Sequence, residues 1–144
     1  MRKFNILAGL LAIIALSLGC SQPASAASDE EVLLSYVNSA RTEAGLNTLS
    51  LDKELARAAS IRAKECEASF SHTRPDGTAF YTVSKATNGE NLSVAYSYNT
   101  LEEVFDAWMA SPTHKANILY STSTKTGFGI FKSGDMYYVA EEFD

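Results

Sequence analysis

Cysteine is almost absent from this 144-residue sequence, which contains only Cys20 and Cys66. Cys20 lies in the N-terminal segment, so Cys66 has no internal partner once that segment is removed or anchored. The disulfide framework that supports many small secreted domains is therefore excluded, and packing alone must hold the fold. About 115 residues follow the N-terminal segment, enough for one domain with a modest core.

Two interpretations of Cys66 compete: a reactive thiol that bridges to another molecule, or a small buried hydrophobe. The spacing favours the buried hydrophobe, because Cys66 continues an apolar face of a predicted helix. The members of that face are Leu55, Ala59, Ala63, Cys66 and Phe70.

Basic residues are also scarce, with 12 Lys and Arg against 17 Asp and Glu and a formal net charge of −5. Loss of a leader that contains Arg2 and Lys3 leaves ten basic residues and a charge of −7. An acidic surface does not attract phosphate backbones or anionic headgroups. We therefore expect no nucleic-acid partner, and membrane contact only through a lipid anchor.

The N-terminal segment predicts export from the cytoplasm. A short basic start precedes an apolar run over residues 6–18, which is too short to span a bilayer comfortably. We interpret residues 1–26 as a secretion or lipoprotein signal with a short linker, and residues 28–144 as the mature extracellular domain. Cleavage after Ala26 and lipidation of Cys20, which would tether the protein to the cell surface, both stay open.

Local signals predict three helices. Ser28 with Glu31, and Thr100 with Glu103, have the spacing of capping boxes, and Asp52 is a good N-cap for an alanine-rich segment. The first helix is expected to end near Gly45. The second is expected over residues 55–69 and the third over 100–110.

Histidine and tryptophan are rare, and His114 and Trp108 lie on either side of a predicted corner at Ser111 and Pro112. Proline disfavours helix at the preceding residue but suits the first turn of a new one. A short helix carrying His114 and Asn117 is therefore expected after the corner. A histidine held there, with a polar neighbour three residues on, is a candidate site residue.

The C-terminal part changes to strand-forming sequence. Residues 127–132 and 136–143 are β-prone, and Ser133-Gly134-Asp135 between them predicts a hairpin. A lone hairpin is marginally stable and needs further cover. The predicted fold class is α+β, with an antiparallel sheet covered by helices.

Residues 71–77 (SHTRPDG) and 88–92 (NGENL) lie between the second and third helices and have the chemistry of turns. They carry His72 and Glu90. With His114, the chain offers three ionisable groups in three bent segments, which only the fold can bring together.

These segments occur in the order found in one known family. Residues 70–77, 89–92, 107–119 and 127–129 together resemble the bacterial branch of the CAP superfamily, which comprises cysteine-rich secretory, antigen-five and pathogenesis-related proteins. This SCP-like domain implies an α-β-α sandwich with a central cleft. The resemblance spans about residues 32–143 and assigns His72, Glu90 and His114 to the cleft.

The chain departs from the family pattern at one position. Many eukaryotic members have a second cleft glutamate three residues after the tryptophan, where this sequence has Ser111. Glu103 is a poor replacement, because the capping box gives it a structural role.

Several chemistries fit the cleft residues. His72 and His114 are suitable Zn²⁺ ligands, although the spacing is not that of a metalloenzyme motif, and hydrogen bonding across the cleft is at least as good an interpretation. Arg74 either holds an anionic ligand or pairs with Asp76 or another structural partner, which we favour. No cofactor is required by the sequence.

Catalysis is less well supported than binding. Ser71, Ser111 and Thr113 lie near the histidines, but none is part of a nucleophile elbow. The sequence predicts a binding module for an extracellular ligand, with His72, Glu90, His114, Arg74 and Asn117 as cleft residues; the family suggests a lipid or cell-wall component. The alternative is a metal-assisted hydrolase of peptide or cell-wall bonds.

Overall fold

A computed structural model describes residues 26–144. Cys20 and most of the predicted signal lie outside this range. Within residues 26–144, no helix is both long enough and apolar enough to cross a membrane.

The described residues form four α-helices, one short 3₁₀ helix and four strands. In chain order these are α1 (Asp29–Glu43), β1 (Ser50–Leu51), α2 (Lys53–Ala68), the 3₁₀ helix (Phe80–Val83), β2 (Gly89–Tyr96), α3 (Leu101–Ala110), α4 (Pro112–Ile118), β3 (Lys125–Ser133) and β4 (Met136–Phe143).

The predicted helix starts are confirmed. The Ser28 hydroxyl accepts from the Glu31 amide at 3.2 Å, and the Glu31 carboxylate accepts from the Ser28 amide at 2.8 Å. Thr100 and Glu103 form the same reciprocal pair at the start of α3. Glu103 is therefore engaged as a cap, the role that the sequence assigned to it.

The sheet contains the predicted hairpin and two strands that the sequence analysis missed, β1 and β2. Its order is β1-β3-β4-β2, with β2 antiparallel to β4 and β3 antiparallel to β4. The interpretation of residues 88–92 as a turn was wrong from Gly89 onwards, because pairing with β4 overrides the local turn preference. The sheet is also not purely antiparallel, since the two-residue β1 runs parallel to β3.

Helices cover both faces of the sheet, which confirms the predicted sandwich. Helix α2 packs on one face, while α1, α3 and α4 pack on the other. The core on the α2 side contains Ala59, Ala63, Cys66, Leu92 and Ala140. The larger core on the opposite side contains Leu33, Val37, Leu49, Val104, Trp108, Ile118, Phe128, Val139 and Phe143. Cys66 is buried and free, as predicted.

Helices α3 and α4 protect the outer edge of β2. The Trp108 indole N–H donates to the Leu92 carbonyl at 3.1 Å, and the Asn117 side-chain amide donates to the Glu90 carbonyl at 3.1 Å. Unpaired carbonyls at a sheet edge can accept hydrogen bonds from a strand of another molecule, and these two donors prevent that pairing. They also fix α4, and with it His114, beside the strand that carries Glu90.

Glycines at positions 127 and 129 let α2 approach the sheet closely. A Cβ built at Gly129 would overlap backbone atoms of Ala59 and Ser60 in α2. Because backbone cannot move aside as a flexible side chain can, we expect Gly129→Ala to lower the free energy of unfolding by about 3 kcal/mol, the upper end of the usual cost of overpacking. Urea unfolding measures this. Gly89→Ala is the matched control, because its Cβ would meet the Phe143 side chain at an ordinary 3.5 Å; equal effects of the two substitutions would contradict the close approach.

Candidate functional site

The candidate site is centred on Glu90, whose side chain is fully buried. Its carboxylate accepts from Arg62 Nε at 2.6 Å and from Arg62 Nη2 at 3.2 Å. On its outer side, Glu90 Oε1 lies 2.7 Å from His72 Nδ1. Both carboxylate oxygens are therefore engaged by residues of the chain itself.

These contacts decide the charge state of Glu90. Burial alone would raise the pKa of this carboxyl, but the hydrogen bonds from His72 and Arg62 outweigh burial and hold its pKa below the ordinary value. Glu90 is therefore a carboxylate at neutral pH, paired with a buried guanidinium.

Arg62 reaches Glu90 from α2, where it interrupts a face of small apolar residues. Besides Glu90 it donates to Glu65 at 2.7 Å and to the Ser71 carbonyl at 2.6 Å. The bond to Ser71 connects the helix to the loop that carries His72. Arg62 therefore positions both members of the His72–Glu90 contact.

A second buried carboxyl, Glu142, lies directly opposite Glu90 in the sheet register. Neither Glu142 side-chain oxygen makes a hydrogen bond of ordinary geometry within residues 26–144, although Glu90 and Thr87 lie close enough to affect its titration. Burial first, and then the charge of Glu90, raise the pKa of Glu142 to about 10. Two like charges at opposed positions are unfavourable, so Glu142 keeps its proton at neutral pH.

His114 lies on the other side of β2, half-buried on α4. Burial lowers its pKa, and the charge of His72 lowers it further. The Asn91 amide donates to the His114 carbonyl at 3.2 Å, and Asn117 donates to the Asn91 side chain at 2.9 Å. This chain of amides holds α4 at a fixed height against the strand.

A groove adjoins this site. It has a volume of about 520 Å³ and its lining includes Asn88, Gly89, Asn117, Tyr120, Thr122 and Asp144. Gly89 precedes Glu90, and Asn117 lies one helical turn after His114, so the groove begins where the buried network ends. The structure thus places four of the five predicted residues around one edge of the sheet.

Arg74, the fifth predicted residue, is held by a partner that the sequence analysis did not name. Its guanidinium forms a salt bridge with Glu65 at 2.7 Å and also donates to the Thr82 hydroxyl at 3.3 Å. The favoured interpretation, a structural contact, agrees with this geometry, although Asp76 acts on Arg74 only through its charge.

The chain's own residues restrict how a metal ion fits here. Within residues 26–144, no group of three or more His, Cys, Asp or Glu side chains is arranged to hold an ion. Since Glu90 is engaged by Arg62 and His72, the available ligands are the imidazoles of His72 and His114. His72 has its Nδ1 on a carboxylate, the arrangement that orients a metal-binding histidine through its other nitrogen.

Sequence reasoning missed the buried charges that hold the site. Arg62 lies between Ala59 and Ala63, and a lone arginine on an apolar helix face could have indicated a buried partner. Arg41 in α1 has the same signal, four residues after Val37, and it donates to the Ile118 and Tyr120 carbonyls at 2.8 and 2.9 Å.

Comparison with known proteins identifies the same domain. The family model described as the cysteine-rich secretory protein family, CAP, matches residues 34–143. The protein YkwD of Bacillus subtilis (strain 168) is 32% identical over 125 residues, which cover 81% of this chain and 48% of YkwD. The chain therefore spans about half the length of that relative.

Two solved structures are similar in fold. An outer surface protein from Borrelia burgdorferi has a TM-score of 0.65 at 24% identity, over 81% of this chain and 92% of that protein. An extracellular protein containing an SCP domain from Bacillus anthracis has a TM-score of 0.66 at 19% identity, over 80% of this chain and 40% of that protein. With a family model that matches most of the sequence, the chain belongs to the cysteine-rich secretory protein (CAP) family.

Proposed function

We propose that the domain is an extracellular binding module, and that its ligand lies in the groove beside His72, Glu90 and His114. One observation carries the proposal: the carboxylate and guanidinium groups of the site are engaged inside the protein, whereas polar groups of the adjoining groove are open. Glu90, Arg62 and Arg74 all bond to other residues of the chain. Two of these groove groups have no hydrogen-bond partner within residues 26–144: the side chain of Asn88 and the side-chain carbonyl oxygen of Asn117.

The predicted leader supports an extracellular location, and so do the relatives. One solved relative is described as an outer surface protein and another as an extracellular protein. The leader and Cys20 lie outside the described residues, so secretion and lipid tethering stay predictions. Size exclusion and mass spectrometry of the mature protein would separate a lipidated Cys20 from cleavage after Ala26.

The test of this proposal uses amide chemical shifts of the purified domain, residues 28–144, against three probes: a chito-oligosaccharide, a lysophospholipid and a short neutral peptide. We expect at least one probe to shift Asn88 and Asn117 in a saturable manner. Thr122→Arg should block the groove, whereas Thr48→Arg, at an exposed threonine that does not line the groove, should not. Absence of saturable shifts with all three probes would contradict a binding module.

A metal-assisted hydrolase is the second candidate, and the 2.7 Å contact between His72 and Glu90 favours it. A buried carboxylate that fixes the tautomer of an exposed histidine is a common arrangement for a general base or a metal ligand. Zinc held by His72 and His114 would supply an activated water. The chain itself would contribute only the two imidazoles and the orientation that Glu90 gives to His72.

Zinc titration by calorimetry at neutral pH decides whether this candidate stands. The hydrolase requires stoichiometric binding that disappears in a His72→Ala, His114→Ala double variant. Heat indistinguishable from that variant would exclude the metal site. The binding module makes a different prediction, because its ligand affinity should survive the double substitution as long as the fold does.

A further inference from the structure

The groove continues past the site described above. A second cavity, of about 360 Å³, is lined by Tyr81, Ser84, Lys85, Thr87 and Asn88. Asn88 lines both cavities, so the two meet at that residue. We call these two adjoining cavities at the N-terminal end of β2 the trough, and two adjoining cavities suit a ligand built from repeating units.

The first cavity has the chemistry of a site for a neutral, hydroxyl-bearing molecule. Its open polar groups are amides and hydroxyls, namely Asn88, the side-chain carbonyl oxygen of Asn117, Thr122 and the Tyr120 phenol. The ionic side chain in its lining, Asp144, already accepts from the Thr124 and Lys125 amides at 2.8 and 2.9 Å. Among the described residues no cation lines this cavity, so a phosphate or a free fatty acid would lack a partner there.

An exposed aromatic ring lies in each cavity. Tyr120 is 60% exposed and Tyr81 is 57% exposed. The Tyr81 ring is held edge-to-face against Phe80, with 5.5 Å between the ring centroids. A tyrosine combines an apolar face with a polar tip, which matches a sugar ring with its C–H face and its equatorial hydroxyls. An acyl chain would instead require a continuous apolar wall, and the described lining of the groove does not supply one.

The second cavity differs from the first by one charge. Lys85 is exposed, it makes no salt bridge within residues 26–144, and it is the basic residue among the side chains that line the two cavities. A lysine ammonium at the end of a polar trough favours a ligand unit that carries a carboxylate.

From these features we propose that the trough binds a glycan strand, with a neutral sugar beside Tyr120 and a carboxylate-bearing sugar beside Lys85. This inference rests on the proposed binding function, because it names the ligand class of the same groove. Asn88, where the cavities meet, lies between the two sugars and can both donate to and accept from them.

The test compares two defined probes, chitotetraose and a hyaluronan tetrasaccharide, by amide chemical shifts and calorimetry on the mature domain. We expect both to shift Asn88 and Asn117, and the hyaluronan fragment to bind more tightly at low salt. Tyr120→Ala should weaken both probes roughly two- to ten-fold. Lys85→Gln should weaken only the hyaluronan fragment, by up to about five-fold.

Tyr98→Ala is the matched control, because Tyr98 is also exposed but stacks on Tyr96 instead of lining the trough. Its affinities should equal those of the unaltered protein. Binding that survives Tyr120→Ala unchanged would overturn the proposal, and so would the absence of binding by either glycan. If a lipid or peptide probe then shifts Asn88 and Asn117, the binding function stands and only the glycan is wrong. If no probe of any class binds, the binding function itself is wrong.

Discussion

Arg62→Met is expected to lower the free energy of unfolding by about 3–5 kcal/mol, because it leaves the Glu90 carboxylate buried without a cation. The substitution removes two hydrogen bonds to Glu90 and one each to Glu65 and the Ser71 carbonyl. Methionine has a similar length and flexibility, so the loss of charge dominates over loss of volume. Urea unfolding at pH 7 measures the effect.

Arg74→Met provides the matched control. Arg74 has the same residue type and shares the partner Glu65, but its side chain is 18% exposed, whereas that of Arg62 is fully buried. Because water screens the Arg74 pair, its loss should cost about 1 kcal/mol or less. Similar effects of the two substitutions would show that Glu90 does not depend on Arg62.

A double variant separates charge from packing. In Arg62→Met, Glu90→Gln, the uncompensated carboxylate is gone, so much of the lost stability should return. No recovery would mean that the packing of α2 on the sheet, and not the buried charge, was disturbed. The His72 amide resonance would then report whether the bond to the Ser71 carbonyl is what positions its loop.

The difference between local and long-range interactions explains which parts of the fold could be predicted from the sequence. The starts of α1 and α3 follow from four-residue capping patterns, and the hairpin follows from Gly134 between two β-prone runs. These signals are local, so a short stretch of sequence contains them. Strand β2 was missed because its first residues have turn chemistry, and only β4, which lies far along the chain, supplies the hydrogen bonds that extend it.

The sequence predicted three residues of the candidate site but not the buried residues that support them. His72, Glu90 and His114 were identified by resemblance to a family, and the structure places them around one strand. The buried residues that support them were not identified, because a paired arginine in a core depends on a partner far away in the sequence. Adjacent glutamates in an apolar strand, Glu141 and Glu142, were a further unused signal, since alternation must turn one towards each core.

Those two glutamates make stability depend on pH in a direction that is unusual for an acidic protein. Burial raises the pKa of Glu141 to about 8 and that of Glu142 to about 10, from an ordinary 4.5. Between pH 4.5 and these values, the folded protein keeps protons that the unfolded chain has released. Stability is therefore highest at the acidic end of this window and falls as pH rises through it.

Glu142→Gln should remove the contribution of Glu142 to this fall in stability, which extends to a higher pH than the contribution of Glu141. At about pH 8 we expect the variant to be more stable than the unaltered protein by a few kcal/mol, because the uncharged amide places no negative charge beside Glu90 at any pH. At pH 4.5 the two proteins should be about equally stable. Urea unfolding at half-unit steps from about pH 4.5 to about pH 9 gives both curves.

Glu141→Gln distinguishes the two carboxyls. The difference in stability between this variant and the unaltered protein should stop increasing near pH 8. Between about pH 8 and pH 9 the contribution of Glu141 declines and Glu142 contributes most of the remaining slope, at most about 1.4 kcal/mol per pH unit. The buried Cys66 thiol, with its pKa raised to about 11, adds a smaller contribution that grows as the pH approaches its ordinary value of 9.0. A slope in this interval that persists in Glu142→Gln but vanishes in Glu141→Gln would reverse the assignment. Glu141, and not the neighbour of Glu90, would then be the carboxyl that holds its proton longest.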